Sequence, residues 1–374
     1  MTAYQSGSAS ADARPRPTRR RVLAGGAGLL AATLTSGPLI LVPGRARAAG
    51  RVTLATQGAI GDHGYGDALN EAFFKPFTKE TGIEVLITGA ADLAKLKAQV
   101  MTKSVEWDVI DILPTEVLTA SQEGLLAPID YGVVQIDTGD LVYPQAKQDY
   151  AVALFTYTGG IGYDKERHPD GKHPTTWPEF WDTKKFPGRR GLRARPNDTF
   201  ETAMLAAGVP PKDVYPIDVD RAFKILDEIK PHINKWIDTT PQSVQLIETN
   251  ELDFTYTFGG RVFAANKAGF PLGYPTDQLL IAFNTFAVPK GAANATEAMK
   301  LLNFAMRPDR QAAFCELFTY PPVTKRGVAM LSPEMKLWVP DMSNPKHLVI
   351  NAEWWGKPGR FAELTTRFRT WLLT

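Results

Sequence analysis

The chain has 374 residues, enough for two domains, and its 44% hydrophobic and 22% charged content is typical of an ordinary globular protein. The formal net charge is only +2, and the first 50 residues carry an excess of arginine, so the remainder is mildly acidic and we expect no nucleic-acid partner. One cysteine cannot form an internal disulfide, and the five histidines show no metal-ligand pattern. We therefore expect no metal, no cofactor and no catalysis.

Residues 1–48 predict an export signal. A basic region ending at Thr18–Arg21 leads into an apolar stretch, and Ala46–Ala48 has the small-residue pattern of a cleavage site. Glycines and a proline interrupt the apolar stretch and disfavour a stable membrane helix, although an uncleaved anchor is the alternative. The paired arginines resemble those of a twin-arginine signal, so we expect delivery to the periplasm by that route.

The segment after the signal alternates strand and helix patterns. In order, a strand, helix, strand, helix and strand are predicted at 51–56, 69–81, 83–87, 92–100 and 109–113. This alternation predicts a largely parallel sheet with helices on both faces. The glycine-rich loop at 57–66 lacks the spacing of a dinucleotide site, so we interpret it as a ligand-contact loop.

The stretch from Tyr150 to Asp164 begins as an apolar run and ends in hydroxyl groups, aromatic rings and glycines. Such a strand can cross between two bodies, and its glycines let the backbone approach a bound molecule. We interpret it as a hinge strand that joins two lobes around a ligand cleft. Further on, the patterns predict a helix that ends before Pro231, a strand at 254–258, a return strand at 280–289 and helices at 297–306, 309–318 and 361–372.

Several motifs, in order along nearly the whole mature chain, resemble those of spermidine/putrescine-type periplasmic binding proteins of ABC importers. They are Phe74–Val85, Trp107–Asp111, Glu123–Asp130, Trp177–Leu192, Leu301–Asp309, Tyr320–Pro322 and Glu353–Trp354. The resemblance implies a two-lobed α/β fold of type II, with a central β-sheet in each lobe and a hinge between them. It also implies a small amino-containing solute, delivery to an ABC permease, and a monomer.

The resemblance divides the mature chain between the two lobes. Lobe 1 would comprise 49–156, with 283–319 returning to it. Lobe 2 would comprise 157–282, with 320–374 packing mainly on it. Polyamine binders of this family hold an alkyl chain between aromatic walls and its ammonium ends with acidic residues. Carried over position by position, and with Tyr157 and Arg261 added as cleft candidates, the ligand-binding residues would be Thr56, Gln57, Thr115, Glu116, Tyr157, Arg195, Asp198, Phe258, Arg261, Phe283, Asn284 and Trp355.

Arg195 and Asn284 stand where the family has acidic residues, and the loss of two negative charges does not suit a fully cationic polyamine. A planar guanidinium suits a carboxylate held by two hydrogen bonds. We therefore expect a small zwitterion of the 4-aminobutyrate kind, with Arg195 on the carboxylate and Asp198 or Glu116 on the amine. Arg193 takes that role if the helix start is shifted by a residue or two, and a solvated or lobe-bridging Arg195 is the alternative.

Two other functions fit the same resemblance. One is a sensor that presents its closed form to a receptor instead of a permease. The other is a periplasmic enzyme on the same fold, which would need a nucleophile and a base that no motif in the sequence supplies.

Overall fold

The structure, a computed structural model, describes residues 50–57, 61, 64–341 and 344–374. The predicted export signal at 1–48 and most of the glycine-rich loop lie outside these residues. The described residues belong to one compact unit, and none of their helices is long and apolar enough to cross a membrane.

Short strands and helices alternate along the described chain. The strands are β1 (Arg51–Ala55), β2 (Glu84–Thr88), β3 (Val109–Ile112), β4 (Leu126–Ala127), β5 (Val152–Asp164), β6 (Arg190–Arg193), β7 (Ile233–Ile237), β8 (Phe254–Phe258), β9 (Leu272–Gly273), β10 (Leu280–Pro289) and β11 (Leu348–Val349). The helices are α1 (Tyr65–Leu69), which continues through a π-helical turn (Asn70–Phe74) into α2 (Lys75–Thr81), then α3 (Leu93–Met101), α4 (Pro114–Gln122), α5 (Trp177–Trp181), α6 (Pro196–Ala206), α7 (Val219–Ile229), α8 (Thr240–Glu248), α9 (Gly259–Lys267), α10 (Ala295–Ala305), α11 (Pro308–Phe318), α12 (Lys325–Ala329), α13 (Pro333–Lys336), α14 (Ala352–Trp355) and α15 (Arg360–Leu373).

The main strands form one hydrogen-bonded path in the order β2-β1-β3-β10-β5-β8-β6-β7. β1 is parallel to β2 and β3, and β6 is parallel to β7 and β8, which confirms the parallel pairing expected from alternating strands and helices. β5 and β10 are antiparallel to each other and to their outer neighbours β8 and β3. The two predicted sheets are thus continuous through β5 and β10.

Two large hydrophobic clusters contain different ends of β5 and β10. Phe155 and Phe286 belong to the first cluster, together with apolar residues of α1, α2, α10 and α11. Ile161 and Leu280 belong to the second, with α6, α7 and α15. We use lobe 1 and lobe 2 for the halves of the molecule built on these clusters. Both strands therefore pass from one lobe to the other, as the sequence of β5 predicted.

Several element boundaries confirm the sequence patterns. The Asp92 carboxylate accepts the Lys95 backbone N–H at 2.7 Å and caps α3, because a side-chain oxygen there satisfies one of the free N–H groups of the first turn. α7 ends at Ile229, two residues before Pro231, and β10 spans the predicted range Leu280–Pro289.

The glycines of β5 make room for protein side chains, which corrects the interpretation that they let the backbone approach a ligand. A Cβ atom added at Gly159 would overlap the Tyr256 hydroxyl, and one added at Gly160 would lie 2.6 Å from Leu279. One added at Gly162 would lie 2.6 Å from the methyl group of Thr257. The glycines thus allow the strands of lobe 2 to pack closely on β5.

We expect Gly159→Ala to lower the free energy of unfolding by about 1–3 kcal/mol, because overpacking a close-packed interior has a cost of that size. Gly89→Ala is the control, since no atom lies within 4 Å of its added Cβ. Urea denaturation of the two variants measures the difference. Equal stability would contradict the close packing of Tyr256 on β5.

Candidate functional site

A buried carboxylate lies in the lobe 1 sheet, where β1, β3 and β10 are neighbours. Asp111 of β3 accepts hydrogen bonds from the Thr56 hydroxyl at 2.6 Å and from the Tyr65 hydroxyl at 2.8 Å. The amide of Asn284 donates to the other Asp111 oxygen at 2.6 Å and to the Tyr65 oxygen at 2.7 Å. The structure thus brings the predicted residues Thr56 and Asn284 together, and we name these four residues the Asp111 cluster.

The Asp111 carboxylate is desolvated, and the groups that donate to it are neutral. Burial raises the pKa of Asp111 to about 6; the hydrogen bonds from Thr56 and Tyr65 oppose this rise, and the charge of Glu116 adds to it. An ionised carboxylate in such surroundings is stabilised by a cation. The cluster is therefore suited to a positively charged group.

A second charged group lies at the start of α6 in lobe 2. The Arg195 guanidinium donates to the Asp198 carboxylate from Nε at 3.1 Å and also from Nη2. Asp198 is buried and has a φ of 69°, a left-handed conformation that makes the first turn of α6 irregular. Burial opposes the charge of Arg195, but the Asp198 carboxylate outweighs burial and raises the Arg195 pKa above its ordinary value. The Arg195 side chain is 34% exposed, so another molecule can reach it.

Arg193, in β6, adds a second guanidinium to this end of the site. It is buried, and its guanidinium lies 5.8 Å from the centre of the Phe258 ring. Its Nε and Nη1 atoms have no hydrogen-bond partner among the described residues. Burial lowers its pKa, the nearby charge of Arg195 lowers it further, and Asp198 opposes both effects. Arg193 thus has buried guanidinium donors without a partner next to the Arg195–Asp198 pair, an arrangement that suits an anion.

A row of aromatic rings leads from the Asp111 cluster to the arginines. Successive ring centroids lie 6.2, 6.0 and 5.8 Å apart along Tyr65, Tyr320, Tyr157 and Phe258. Burial raises the pKa of Tyr157, Asp198 raises it further while Arg195 lowers it, and Asp111 also contributes to the rise. Tyr157 therefore lies within electrostatic reach of both charged groups. Two predicted residues, Tyr157 and Phe258, thus belong to one continuous apolar wall.

Three further predicted residues lie near the start of α4 or after β1. The Glu116 carboxylate accepts the Leu113 backbone N–H at 2.8 Å and so caps α4, and burial raises its pKa. Thr115 is half-buried in the first turn of the same helix. Gln57 is exposed and donates to the Ala91 carbonyl at 3.4 Å. The bond to Leu113 uses one of the two carboxylate oxygens of Glu116, and its role towards a solute amine stays a prediction.

Of the remaining predicted residues, Phe283 and Trp355 lie in hydrophobic clusters, and Arg261 lies near the Tyr320 ring of the row. Phe283 is in the lobe 1 hydrophobic cluster, edge-on to Tyr143 at 5.5 Å. Trp355 is in the lobe 2 cluster, and its indole N–H donates to Glu201 at 2.6 Å. Arg261 is exposed at the start of α9, and its charge opposes the burial that raises the pKa of Tyr320 to about 12.

Sequence reasoning missed Asp111, Tyr65 and Tyr320 as site residues. A signal for Asp111 was present, because it is an acid within an otherwise apolar strand, where a buried charge needs partners. Tyr65 lies near the end of the glycine-rich loop at 57–66, which the sequence predicts as a ligand-contact loop without indicating which side chain makes the contact. Tyr320 belongs to the family motif Tyr320–Pro322, and only the folded chain places its ring between those of Tyr65 and Tyr157.

Metal-ligand clusters and the single cysteine were the other features that the sequence raised. The described residues contain no group of three or more His, Cys, Asp or Glu side chains able to hold a metal ion. Cys315 is buried in the protein interior, as its apolar helical pattern predicted, and burial raises its pKa.

Two α/β lobes joined by a pair of crossing strands, with side chains from both along one row, define the fold of periplasmic solute-binding proteins. The chain belongs to the bacterial extracellular solute-binding protein family, whose model matches residues 72–339. This is a family of binding proteins and not of enzymes. The family resemblance and the fold class that the sequence predicted are confirmed.

Individual relatives bind amino compounds. The chain is 33% identical to the gamma-aminobutyric acid-binding protein of Pseudomonas aeruginosa, over 81% of this chain and 87% of that protein. It is 25% identical to the spermidine/putrescine-binding periplasmic protein of Escherichia coli, over 74% and 81%. Among solved structures, the Atu4243 GABA receptor matches with a TM-score of 0.76 and 32% identity, over 86% of this chain and 97% of that one.

The raised pKa of Asp111 predicts a pH dependence of stability. The folded state holds the Asp111 proton more tightly than the unfolded chain does, so the stability from this group is present below about pH 4 and is lost as the pH rises through about 6. Between about pH 4 and pH 7, we expect the free energy of unfolding to fall relative to that of Asp111→Asn by on the order of 3 kcal/mol. Urea denaturation across this range measures the difference, and parallel pH profiles would contradict it.

Proposed function

We propose that the protein binds a small zwitterion of the 4-aminobutyrate kind, with the solute carboxylate on Arg195 in lobe 2 and the solute ammonium beside Asp111 in lobe 1. The main support for this proposal is the row of aromatic rings, which has arginines at its lobe 2 end and the Asp111 carboxylate at its lobe 1 end. The aromatic faces would cover the methylene chain between the two charges.

The two ends of the row differ in charge. In lobe 2, Arg195 is bonded to Asp198, and Arg193, which feels the charges of Asp198 and Asp238, has two guanidinium nitrogens without a hydrogen-bond partner among the described residues; these unpaired donors would suit an anion. Asp111 in lobe 1 is bonded to neutral groups and leaves one negative charge. A zwitterion matches both ends, whereas a diamine would place an ammonium group beside two guanidinium groups.

We assign the solute amine to Asp111, and not to Asp198 or Glu116 as expected from the sequence. The reason is that Asp198 is bonded to Arg195, and Glu116 caps its own helix, whereas Asp111 is buried and bonded only to neutral groups. The gamma-aminobutyric acid-binding relative supports this solute class, since it is more similar in sequence than the polyamine-binding relative.

Each lobe supplies one end of the proposed site, so a solute can contact both only when the lobes are closed. Solute would then shift the population towards the closed form by its higher affinity for that form. We propose that the protein acts as a monomer, reaches the periplasm through the twin-arginine route, and delivers the closed, loaded form to an ABC permease.

The first test is calorimetric titration and thermal shift of the mature protein with 4-aminobutyrate and with putrescine. At a hundred times its dissociation constant, the correct solute should add about 2.7 kcal/mol to the free energy of unfolding. We expect 4-aminobutyrate to bind and putrescine to bind more weakly. Tighter binding of putrescine would contradict the zwitterion and support the polyamine role of the more distant relatives.

We expect Arg195→Ala to raise the dissociation constant for 4-aminobutyrate at least about thirtyfold, because it removes one partner of a charged hydrogen-bonded pair. Arg221→Ala, which removes an exposed arginine of the same lobe, is the control and should bind as wild type does. Isothermal titration measures both. Unchanged affinity in Arg195→Ala would support the solvated or lobe-bridging alternative.

Asp111→Asn tests the contact with the solute amine separately from the contact with the solute carboxylate. It preserves side-chain shape and removes the negative charge, so we expect weaker binding of 4-aminobutyrate, by about tenfold or more. Butyrate has the carboxylate without the amine, so its weak binding should be unaffected or improved. Equal losses for both compounds would show that Asp111 acts on the fold and not on the amine.

A further inference from the structure

Glu201 is a fully buried acid in lobe 2, one turn of α6 after Asp198. Its Oε1 atom accepts hydrogen bonds from the Tyr215 hydroxyl and the Trp355 indole N–H, both at 2.6 Å, and its Oε2 atom has no partner among the described residues. Burial raises the pKa of Glu201 to about 7; the Tyr215 bond opposes this rise and the Asp198 charge adds to it. Glu201 is therefore coupled both to Trp355 and to the charged start of α6.

Trp355 is held against α6 by two contacts of different kinds. Its ring stacks on Phe200 at 6.2 Å with an interplanar angle of 19°, and its N–H group is bonded to Glu201. An aromatic ring fixed on its face and at its polar edge has little freedom to rotate. The position of α14, which ends at Trp355, is thus set by α6.

The residue after Trp355 contacts the other lobe. Gly356 lies against α4, and a Cβ atom added to it would lie 2.9 Å from Leu118 Cδ2 and 3.1 Å from the Thr115 carbonyl oxygen of that helix, and 3.0 Å from the Ala352 carbonyl oxygen of α14. Its φ of −79° is open to any residue, so the contact depends on the small size of glycine and not on its conformational freedom. Gly356 is therefore a point of close approach between lobe 2 and lobe 1.

We propose that Glu201 is a positioning residue for lobe closure: it holds Trp355 so that Gly356 fits against α4, and this contact stabilises the closed form around the solute. The proposal rests on the proposed function only in that solute at Arg195 is what favours closure. We infer that this contact forms only on closure, so that it slows solute release and leaves capture by the open form unchanged.

Gly356→Ala tests the contact itself. We expect the dissociation rate of 4-aminobutyrate, measured by stopped-flow fluorescence, to rise about tenfold because one added methyl group overpacks the contact with α4. The association rate should stay within about twofold of wild type, as expected for a change that acts after encounter. Gly89→Ala, whose added Cβ meets no atom within 4 Å, should change neither rate. An unchanged dissociation rate in Gly356→Ala would overturn the closing contact.

Glu201→Gln tests whether Glu201 acts on the Gly356 contact through its hydrogen bond to Trp355. The amide is the same size but is a weaker acceptor for the Trp355 N–H, so we expect a faster dissociation rate with an unchanged association rate. In the double variant with Gly356→Ala, the two effects should combine to less than their product, because both act through the position of α14. Independent effects that multiply would show that Glu201 does not act through Gly356.

Hydrogen exchange tests the same contact without any solute. We expect Glu201→Gln to increase amide exchange in α14 and also in α4, which Glu201 does not touch directly. Faster exchange confined to lobe 2 would reduce Glu201 to a local packing role and overturn the proposal. If wild type does not bind 4-aminobutyrate, the proposed solute is wrong, while the exchange result still decides whether Glu201 controls the contact between lobes.

Discussion

Backbone hydrogen bonds between β5 and β10 hold the two lobes together, and the groups of the candidate site are placed relative to that pair of strands. Tyr157 of β5 is opposite Ala282 of β10, two residues before Asn284. The ring that faces both lobes and the amide that holds Asp111 are therefore fixed by one register. Glycines in β5 let the strands of lobe 2 pack directly on this pair, so the site has a rigid base.

The chemistry of the site comes from charges that the fold leaves incompletely neutralised. Burying an ion without an oppositely charged partner is costly, and a protein that keeps one at each end of a cleft is less stable than it would be with apolar residues there. A solute that carries the opposite charges removes both costs at once. In the proposed binding mode, the free energy gained in this way would favour closure, because the two ends would reach one solute only in the closed form.

The sequence predicted those parts of the structure that depend on local pattern. Apolar spacing and caps gave α3, α7 and β10, and ordered family motifs gave the two-lobed fold. It did not predict that Arg195 and Asp198 bond to each other, because the irregular turn between them depends on tertiary packing. Asp111 was missed for a similar reason: its partners Tyr65 and Asn284 are 46 and 173 residues away in sequence. Trp355 was placed in the cleft by analogy, whereas Glu201 holds it in the interior.

The pairing of β5 with β10 is continuous from Leu280 to Asn284 and shifts register at a bulge between Asn284 and Thr285, and it has a consequence for the proposed solute. Paired strands can twist against each other but cannot slide, so in the proposed closed form the separation of the two charged ends would stay nearly constant. The proposed site would then select solutes by the distance between their two charged groups. A compound with the right charges but one methylene group fewer or more would reach only one end, or would hold the lobes apart, and discrimination between such homologues would come from the backbone of the crossing strands.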